Sequence, residues 1–189
     1  MIITSHLHGL DETISHSTGN RSPGLHISDI YTSLARALDP KRYAEEMGPN
    51  TVKMAMGLAW ETHLEKVLER AQIPAPRPPE QLTLEGIAFN PDLLLTEDPS
   101  RMRVGEIKLT YMSESDSLID SKFAKWLWQA MAYCYHLEVP RARFYVLFVR
   151  GNYKDPNPTF RAYDIEFTGR ELQENWQMLL NYARHQRML

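Results

Sequence analysis

Val104-Gly105-Glu106-Ile107-Lys108-Leu109 is a short stretch of strand character that carries one acid and one base two residues apart. Side chains at positions i and i+2 of a strand leave the same face, so Glu106 and Lys108 point together, opposite Ile107 and Leu109. Two interpretations are open at this point. The pair is either a solvated ion pair on an exposed edge strand, which contributes little to stability, or part of a site for a hard divalent cation.

A lone acid stands at the start of the preceding apolar segment. Asn90, Pro91 and Asp92 lead into three leucines, and a polar turn at residues 97–100 connects this run to the Glu106 stretch. Apolar runs bounded by Pro, Asp and Ser are typical of a β-hairpin. We therefore expect Asp92 on one arm of a hairpin and the Glu106 stretch on the other.

The composition predicts a soluble protein with a single folded domain. The chain has 189 residues, one cysteine and a formal net charge of −3. No apolar run is long enough to span a bilayer and no signal pattern opens the sequence, so we expect a cytoplasmic protein with no membrane partner. Cys134 falls in a helical apolar pattern and is expected in the core. The slightly negative charge argues against a binder that acts through phosphate contacts alone.

The first third of the chain predicts a tail and two main helices. Residues 1–24 have no sustained period and are expected to form a loop or a partly ordered tail, followed by one domain over residues 25–189. Ser28 is expected to cap a helix whose first turn carries Asp29. A long helix is predicted from about residue 51 to 71, with an apolar arc formed by Met56, Trp60, Leu64, Val67 and Leu68. Glu61 falls at the rim of this arc, and Glu65 is the competing acid.

The second half of the chain predicts a helix, two strands and a final helix. A polar loop over residues 110–120 precedes a helix over about 121–137, whose polar stripe includes Lys122, Lys125 and Gln129. A strongly apolar strand over residues 143–150 is expected to be central, and an alternating strand over 159–167 to be half-buried. Thr168-x-x-Glu171 is a capping box that opens the last helix.

The order of these features resembles the PD-(D/E)XK nuclease superfamily. Pro91-Asp92 followed by Glu106-Ile107-Lys108 is similar to its proline-aspartate and acid-x-lysine signature. Gly57 followed by Glu61 resembles the glycine-then-acid helix of lambda-exonuclease-like and YqaJ-like members. Gln129 and Tyr133 resemble the glutamine-x-x-x-tyrosine helix of RecB-like and lambda-exonuclease-like members. The resemblance implies a restriction-endonuclease-like α/β fold, in which α-helices flank a central mixed β-sheet.

The resemblance also implies a catalytic centre and its cofactor. Mg²⁺, for which Mn²⁺ is expected to substitute, would be held by Glu61, Asp92, Glu106 and the backbone carbonyl of Ile107, because such ions take oxygen ligands. Lys108, with its proton affinity lowered by nearby cations, would position the attacking water or stabilise the transition state. Gln129 would contact DNA or orient that water. Candidate DNA contacts are Arg21, Ser28, Lys122, Lys125, Gln129 and Tyr133. Lys122, Lys125 and also Arg150 are candidates for contacts with backbone phosphates.

The implied function is metal-dependent hydrolysis of DNA by an exonuclease of phage recombination or DNA repair, in the host cytoplasm if a phage encodes it. Candidate partners are the DNA substrate, a recombination or single-strand-binding protein and a second copy of the chain. Two alternatives share the fold: a sequence- or structure-specific endonuclease, and a non-catalytic DNA-binding or assembly protein. An unrelated metabolic α/β enzyme is disfavoured, because the sequence contains neither GxGxxG nor GxSxG.

Overall fold

The computed structural model describes residues 23–43, 51–78, 81–96, 102–115, 123–151 and 158–189. Its elements alternate between helices and strands along the chain. In order they are β1 (Leu25–His26), α1 (Ile27–Leu38), α2 (Pro40–Tyr43), α3 (Thr51–Arg70), β2 (Leu82–Leu84), β3 (Ile87–Phe89), β4 (Leu93–Leu95), β5 (Arg103–Thr110), α4 (Ala124–Leu137), β6 (Arg141–Phe148), β7 (Thr159–Glu166) and α5 (Gly169–His185).

The described strands form two mixed sheets, and helices pack around them. A three-stranded sheet has the order β1-β3-β2, and a four-stranded sheet has the order β4-β5-β6-β7. The expected mixed α/β architecture is confirmed, although its strands are divided between two sheets instead of one. Pro91 stands between β3 and β4, where a residue without a backbone N–H cannot continue a ladder.

The Glu106 stretch lies inside the four-stranded sheet. β4 and β5 pair antiparallel, with Leu93 opposite Gly105, as predicted for a hairpin. β6 pairs with the other side of β5 in parallel, with Glu106 opposite Phe144. Because β5 has a neighbour on each side, the interpretation as an exposed edge strand is wrong. The predicted central strand is β6, which β5 and β7 flank.

The four-stranded sheet has an apolar core on each face. One core cluster contains Val104 of β5 and joins the sheet to α1, α4 and α5. The other contains Ile107 of β5 together with Leu64 and Leu68 of α3. Alternate residues of a strand face opposite sides, so Glu106, like Val104, faces the α4 side while Ile107 faces α3. This alternation sets the direction in which the charged pair points.

Helix α1 begins earlier than the sequence predicted. Its first residue is Ile27 and His26 occupies the N-cap position, so the prediction that Ser28 caps the helix is wrong. The backbone N–H of His26 donates to Asp29 Oδ2 at 3.0 Å. This bond from the third helical position satisfies an N–H group at the helix start, and that fixes the boundary before Ser28.

Helix α3 buries fewer of its predicted apolar residues than expected. Leu64 and Leu68 are buried against the sheet, whereas Met56 and Val67 are exposed. Trp60 packs edge-on against Phe160 of β7, with ring centroids 5.6 Å apart. The helix therefore rests on the sheet mainly through its second half, and the predicted burial of Met56 and Val67 is wrong.

Other local predictions are confirmed. Cys134 is buried in the main core. Thr168 caps α5, with the Glu171 N–H donating to Thr168 Oγ1 at 3.2 Å and the Glu171 carboxylate accepting from the Thr168 N–H. Among the described residues, none of the helices has the length and apolarity needed to cross a membrane.

Several predictions fall outside the described residues. They concern the segment of residues 1–22 with Arg21, the turn at residues 97–100, the start of the predicted helix at residue 121, and Lys122.

Gly105→Ala should lower the free energy of unfolding by about 1–3 kcal/mol, because an added methyl group overpacks the hairpin. Its Cβ would lie 2.8 Å from Leu93 Cβ on the neighbouring strand. Urea unfolding measures the change. Gly57→Ala is the matched control: its Cβ meets nothing within 4 Å. That variant should gain about 0.5–1 kcal/mol from helix propensity. A loss of stability in both variants would contradict the packing argument.

Candidate active site

The centre of the site is a buried ion pair on β5. Glu106 has 0% of its surface exposed, and its Oε2 accepts a hydrogen bond from Lys108 Nζ at 2.5 Å. Glu106 Oε1 is also buried and has no hydrogen-bond partner among the described residues. A buried carboxylate oxygen without a donor is costly unless it serves a ligand or a proton. The pair therefore marks a functional site better than a structural one.

Burial and neighbouring charges shift the pKa values of both Glu106 and Lys108. Burial raises the pKa of Glu106 to about 8, Lys108 opposes this shift, and Asp92 adds to it. Burial alone would lower the pKa of Lys108, but the charges of Glu106 and Asp92 outweigh burial and raise it. This is opposite to the lowered proton affinity expected beside cations. With its carboxylate neighbours alone, Lys108 is therefore a fixed positive charge and not a base.

Asp92 is fixed against the middle of β5. Its Oδ2 accepts a hydrogen bond from the backbone N–H of Ile107 at 2.7 Å. The antiparallel hairpin brings the start of β4 beside β5 and so creates this contact. One oxygen of Asp92 is thereby tied to the sheet, and its Oδ1 lies outside this hydrogen bond. The structure thus brings Asp92, Glu106 and Lys108 together, as the hairpin predicted.

Helix α4 contributes the next layer of the site. Lys108 Nζ donates to Gln129 Oε1 at 3.2 Å, and Gln129 Nε2 donates to the Tyr133 hydroxyl at 2.9 Å. The Tyr133 hydroxyl donates in turn to the backbone carbonyl of Asn90 at 3.3 Å. This chain of hydrogen bonds links the ammonium group on β5 to the segment that precedes Asp92. The Lys108 ammonium is therefore held by two acceptors, Glu106 of its own strand and Gln129 of α4.

Tyr133 is buried behind Gln129 and supports the site from the core. Only 3% of its surface is exposed, and its ring packs against Phe89 with centroids 6.0 Å apart. The Tyr133 ring is thus part of the core in this structure, and its predicted contact with nucleic acid stays a prediction. Its hydroxyl supports Gln129 and the Asn90 carbonyl.

Glu61 interacts electrostatically with the site but forms an ion pair with Arg77. Burial raises its pKa first, Asp92 raises it further, and Arg77 and Lys108 oppose the shift, which places Glu61 within electrostatic reach of the hairpin residues. Arg77 Nη2 donates to Glu61 Oε2 at 3.3 Å, and Arg77 Nε donates to Glu65 Oε1. The sequence offered Glu61 and Glu65 as competitors, and the structure joins both to one arginine.

The carboxylates of the site are the kind of ligand that a hard cation prefers, but the described side chains lie too far apart to form a closed metal site. Glu61, Asp92 and Glu106 offer carboxylate oxygens, which Mg²⁺ prefers, and Glu106 Oε1 is buried without a partner in the described part of the chain. Among the described residues, however, no three His, Cys, Asp or Glu side chains are gathered closely enough to hold a metal ion. The Arg77 contact is the interaction that engages Glu61 instead.

The remaining predicted DNA contacts have separate surroundings. Ser28 is half-buried in the first turn of α1, and the residue there that approaches the site segment is His26, whose Nδ1 lies 3.5 Å from Asn90 Nδ2. Lys125 Nζ lies 4.4 Å from the ring centroid of Tyr43. Neither geometry tests a phosphate contact, so these two assignments stay predictions.

An aromatic residue close to two cations follows β5 and was missed from the sequence. Lys53 Nζ lies 5.9 Å from the ring centroid of Tyr111, and the Arg150 guanidinium lies 5.8 Å from it. The Tyr111 hydroxyl also contacts Met56 Sδ at 3.5 Å. The signal in the sequence was an aromatic residue directly after the acid-x-lysine strand. Arg77 was missed too, because the sequence shows it only as a basic residue in a proline-rich connector.

Solved structures share this fold at low sequence identity. SSO0001 aligns over 90% of this chain and 83% of its own, with a TM-score of 0.51 and 11% identity. LHK-Exo, an alkaline exonuclease from Laribacter hongkongensis, aligns over 86% of this chain and 87% of its own, with a TM-score of 0.51 and 13% identity. A structure of LHK-Exo in complex with dAMP gives a TM-score of 0.51 at 12% identity. No family model and no curated protein matches the sequence. The chain therefore has a fold found in an exonuclease.

Without divalent cations, wild-type stability should fall as the pH rises from about 5 to about 8. The folded-state pKa of Glu106 is raised above its ordinary value of 4.5, so protonation stabilises the folded state and that stabilisation is lost as the pH rises through about 8. Glu106→Gln cannot titrate and should remove a slope of up to about 1.4 kcal/mol per pH unit. Urea unfolding in a chelator at several pH values measures both proteins. Parallel curves would exclude Glu106 as the cause.

Proposed function

We propose that the protein is a metal-dependent deoxyribonuclease that hydrolyses DNA phosphodiester bonds, acting as an exonuclease in phage recombination or DNA repair. The observation that carries the proposal is the buried Glu106 carboxylate, held by Lys108 beside Asp92 in the middle of a sheet. A fully buried acid with an unpartnered oxygen has little value for stability alone. The exonuclease assignment draws on the fold shared with LHK-Exo, which is described as an alkaline exonuclease.

The cofactor that we propose is Mg²⁺, with Mn²⁺ as a substitute. Asp92 and Glu106 each use one carboxylate oxygen for a protein contact, which leaves Asp92 Oδ1 and Glu106 Oε1 to face a cation. Glu61 and the backbone carbonyl of Ile107 would complete the ligand set. A bound ion of this kind supplies an activated water and stabilises charge on the scissile phosphate.

The protein groups around the ligands have distinct tasks in this proposal. The Lys108 ammonium donates hydrogen bonds to both Glu106 and Gln129, and in this proposal it stabilises negative charge that develops on phosphate oxygens. Gln129 is a positioning residue, because its amide bonds Lys108 and the Tyr133 hydroxyl at the same time. Tyr133 locks that amide and the segment before Asp92.

The approach of the DNA strand in this proposal follows α3. Lys53 and Glu61 are eight residues apart on this helix, which corresponds to about 12 Å along its axis. That length equals a few nucleotides of a strand. Tyr111 with Lys53 and Arg150 would then stack one base and contact the phosphates beside it, a few nucleotides from the cleaved bond.

Lys108→Ala should reduce Mg²⁺-dependent DNA degradation by about a hundredfold or more, since a charge aimed at the reacting phosphate is removed. Linear and covalently closed circular duplexes are digested side by side, with a chelator as the blank. Lys66→Ala, an exposed lysine on α3, is the control and should retain wild-type rates.

The form of DNA that is degraded separates the remaining alternatives. Release of mononucleotides from linear DNA only supports an exonuclease, and cleavage of closed circles identifies an endonuclease of the same fold. Binding of DNA without degradation, by wild type in Mg²⁺ or Mn²⁺, would refute the enzyme and leave a binding or assembly protein.

Tyr111→Ala should weaken binding of a short single-stranded oligonucleotide about fivefold or more, because base stacking on the ring is lost. Tyr111→Phe keeps the ring and should bind like wild type. Fluorescence anisotropy in a chelator measures affinity without cleavage. Arg150→Ala should lower the slope of log affinity against log salt by about one. If Tyr111→Ala and wild type bind equally, the strand does not pass over this residue.

A further inference from the structure

Arg77 forms a bridge between two acids of α3. Its guanidinium reaches Glu61 Oε2 at 3.3 Å and forms a shorter contact with Glu65 Oε1. About half of the Arg77 side chain is exposed (51%), whereas Glu61 and Glu65 are exposed by only 22% and 30%. The bridge therefore places a partly exposed positive charge beside the carboxylate that the proposed metal site needs.

The connector after α3 fixes the backbone from which Arg77 projects. Leu94 N–H donates to the Pro76 carbonyl at 2.8 Å, and Thr96 N–H donates to the Pro74 carbonyl at 3.1 Å. These bonds lay residues 74–76 along the open side of β4, immediately beyond Asp92. Pro76 and Pro78 flank Arg77 and restrict its backbone further. Arg77 therefore projects from a segment whose backbone is hydrogen-bonded to β4.

The two acids differ in their relation to the site. Asp92 and Lys108 act on Glu61 electrostatically, and Glu61 in turn acts on Glu106. Glu65 makes the shorter contact with Arg77 and also borders a shallow cavity that the connector lines with Ile73, Pro74 and Ala75. Glu61 therefore belongs to the carboxylate centre, while Glu65 anchors the arginine.

We propose that Arg77 is an exchangeable counter-ion of the metal site: it neutralises Glu61, yields it to a divalent cation, and stays bound to Glu65. The inference rests on the proposed metal dependence and adds the residue that sets the affinity for the ion. Glu61 is the acid that interacts with Asp92 and Glu106, so its contact with Arg77 is the one that a cation would replace, while Glu65 keeps the guanidinium bound.

Removal of the competing charge should tighten metal binding. Mn²⁺ is the probe, and electron paramagnetic resonance of the free ion in the full chain, without DNA, gives the dissociation constant. Arg77→Gln should lower this constant about two- to fivefold, the range expected for a partly exposed, solvent-screened ion pair. Arg77→Lys, which keeps the charge, should bind Mn²⁺ much more like wild type. Arg170→Gln breaks an exposed ion pair with Glu174 on α5 and should change nothing.

Further variants separate the roles of the two acids. In the Arg77→Gln background, Glu61→Gln should weaken Mn²⁺ binding by at least about tenfold, since a ligand is lost, whereas Glu65→Gln should change it less than about threefold. Equal losses from both would overturn the division between ligand and anchor. Thermal unfolding of each variant without metal verifies that the fold is kept.

Failure of this inference can be told apart from failure of the proposed function. If wild type binds Mn²⁺ and Arg77→Gln binds it equally or more weakly, the counter-ion role is refuted while the metal site stands. If neither wild type nor Arg77→Gln binds Mn²⁺, the metal site itself is refuted, and the counter-ion role with it.

Discussion

The complete burial of the Glu106 carboxylate against the sheet is the constraint on which the rest of the site depends. Glu106 has no access to solvent, and burying a charged group without compensation costs several kcal/mol or more. Lys108 offsets part of that cost, but only while its ammonium is held close to Glu106 Oε2. The Gln129 amide and the Tyr133 hydroxyl hold it there. The apolar cores on both faces of β5 then exclude water around a group that would otherwise be hydrated.

The topology explains why α4 supplies the supporting groups. β5 and β6 are parallel neighbours, so the chain must cross from the end of one to the start of the other, and α4 lies in that crossing. A helix in this position lies over the face that Glu106 and Lys108 share. The hairpin between β4 and β5 is local by contrast, and it sets Asp92 against Ile107. The site thus combines one short-range pairing with one long crossover.

The sequence could predict features that depend on residue periodicity or on a few neighbouring residues. The i, i+2 spacing put Glu106 and Lys108 on one face, turn residues indicated the hairpin, and Thr168 with Glu171 marked a helix start. It could not predict that Arg77 reaches Glu61, because that contact depends on how the connector lies against β4. Periodicity also does not say which part of a helix meets the sheet, so Met56 was expected inside and is exposed. Similarly, a tyrosine one turn from a glutamine can face a substrate or the core, and only packing decides.

The connector along β4 has a consequence for how the sheet could grow. Within the described strands, β7 and β4 end the four-stranded sheet, and the β4 side is occupied by residues 74–76. Prolines at 74, 76 and 78 lack the N–H groups that another strand would need, so this border is a poor template for addition. Among the described residues, no further segment makes backbone hydrogen bonds with the outer side of β7. Association by strand addition between copies would therefore be expected to join β7 of one copy to β7 of another, away from the covered β4 border.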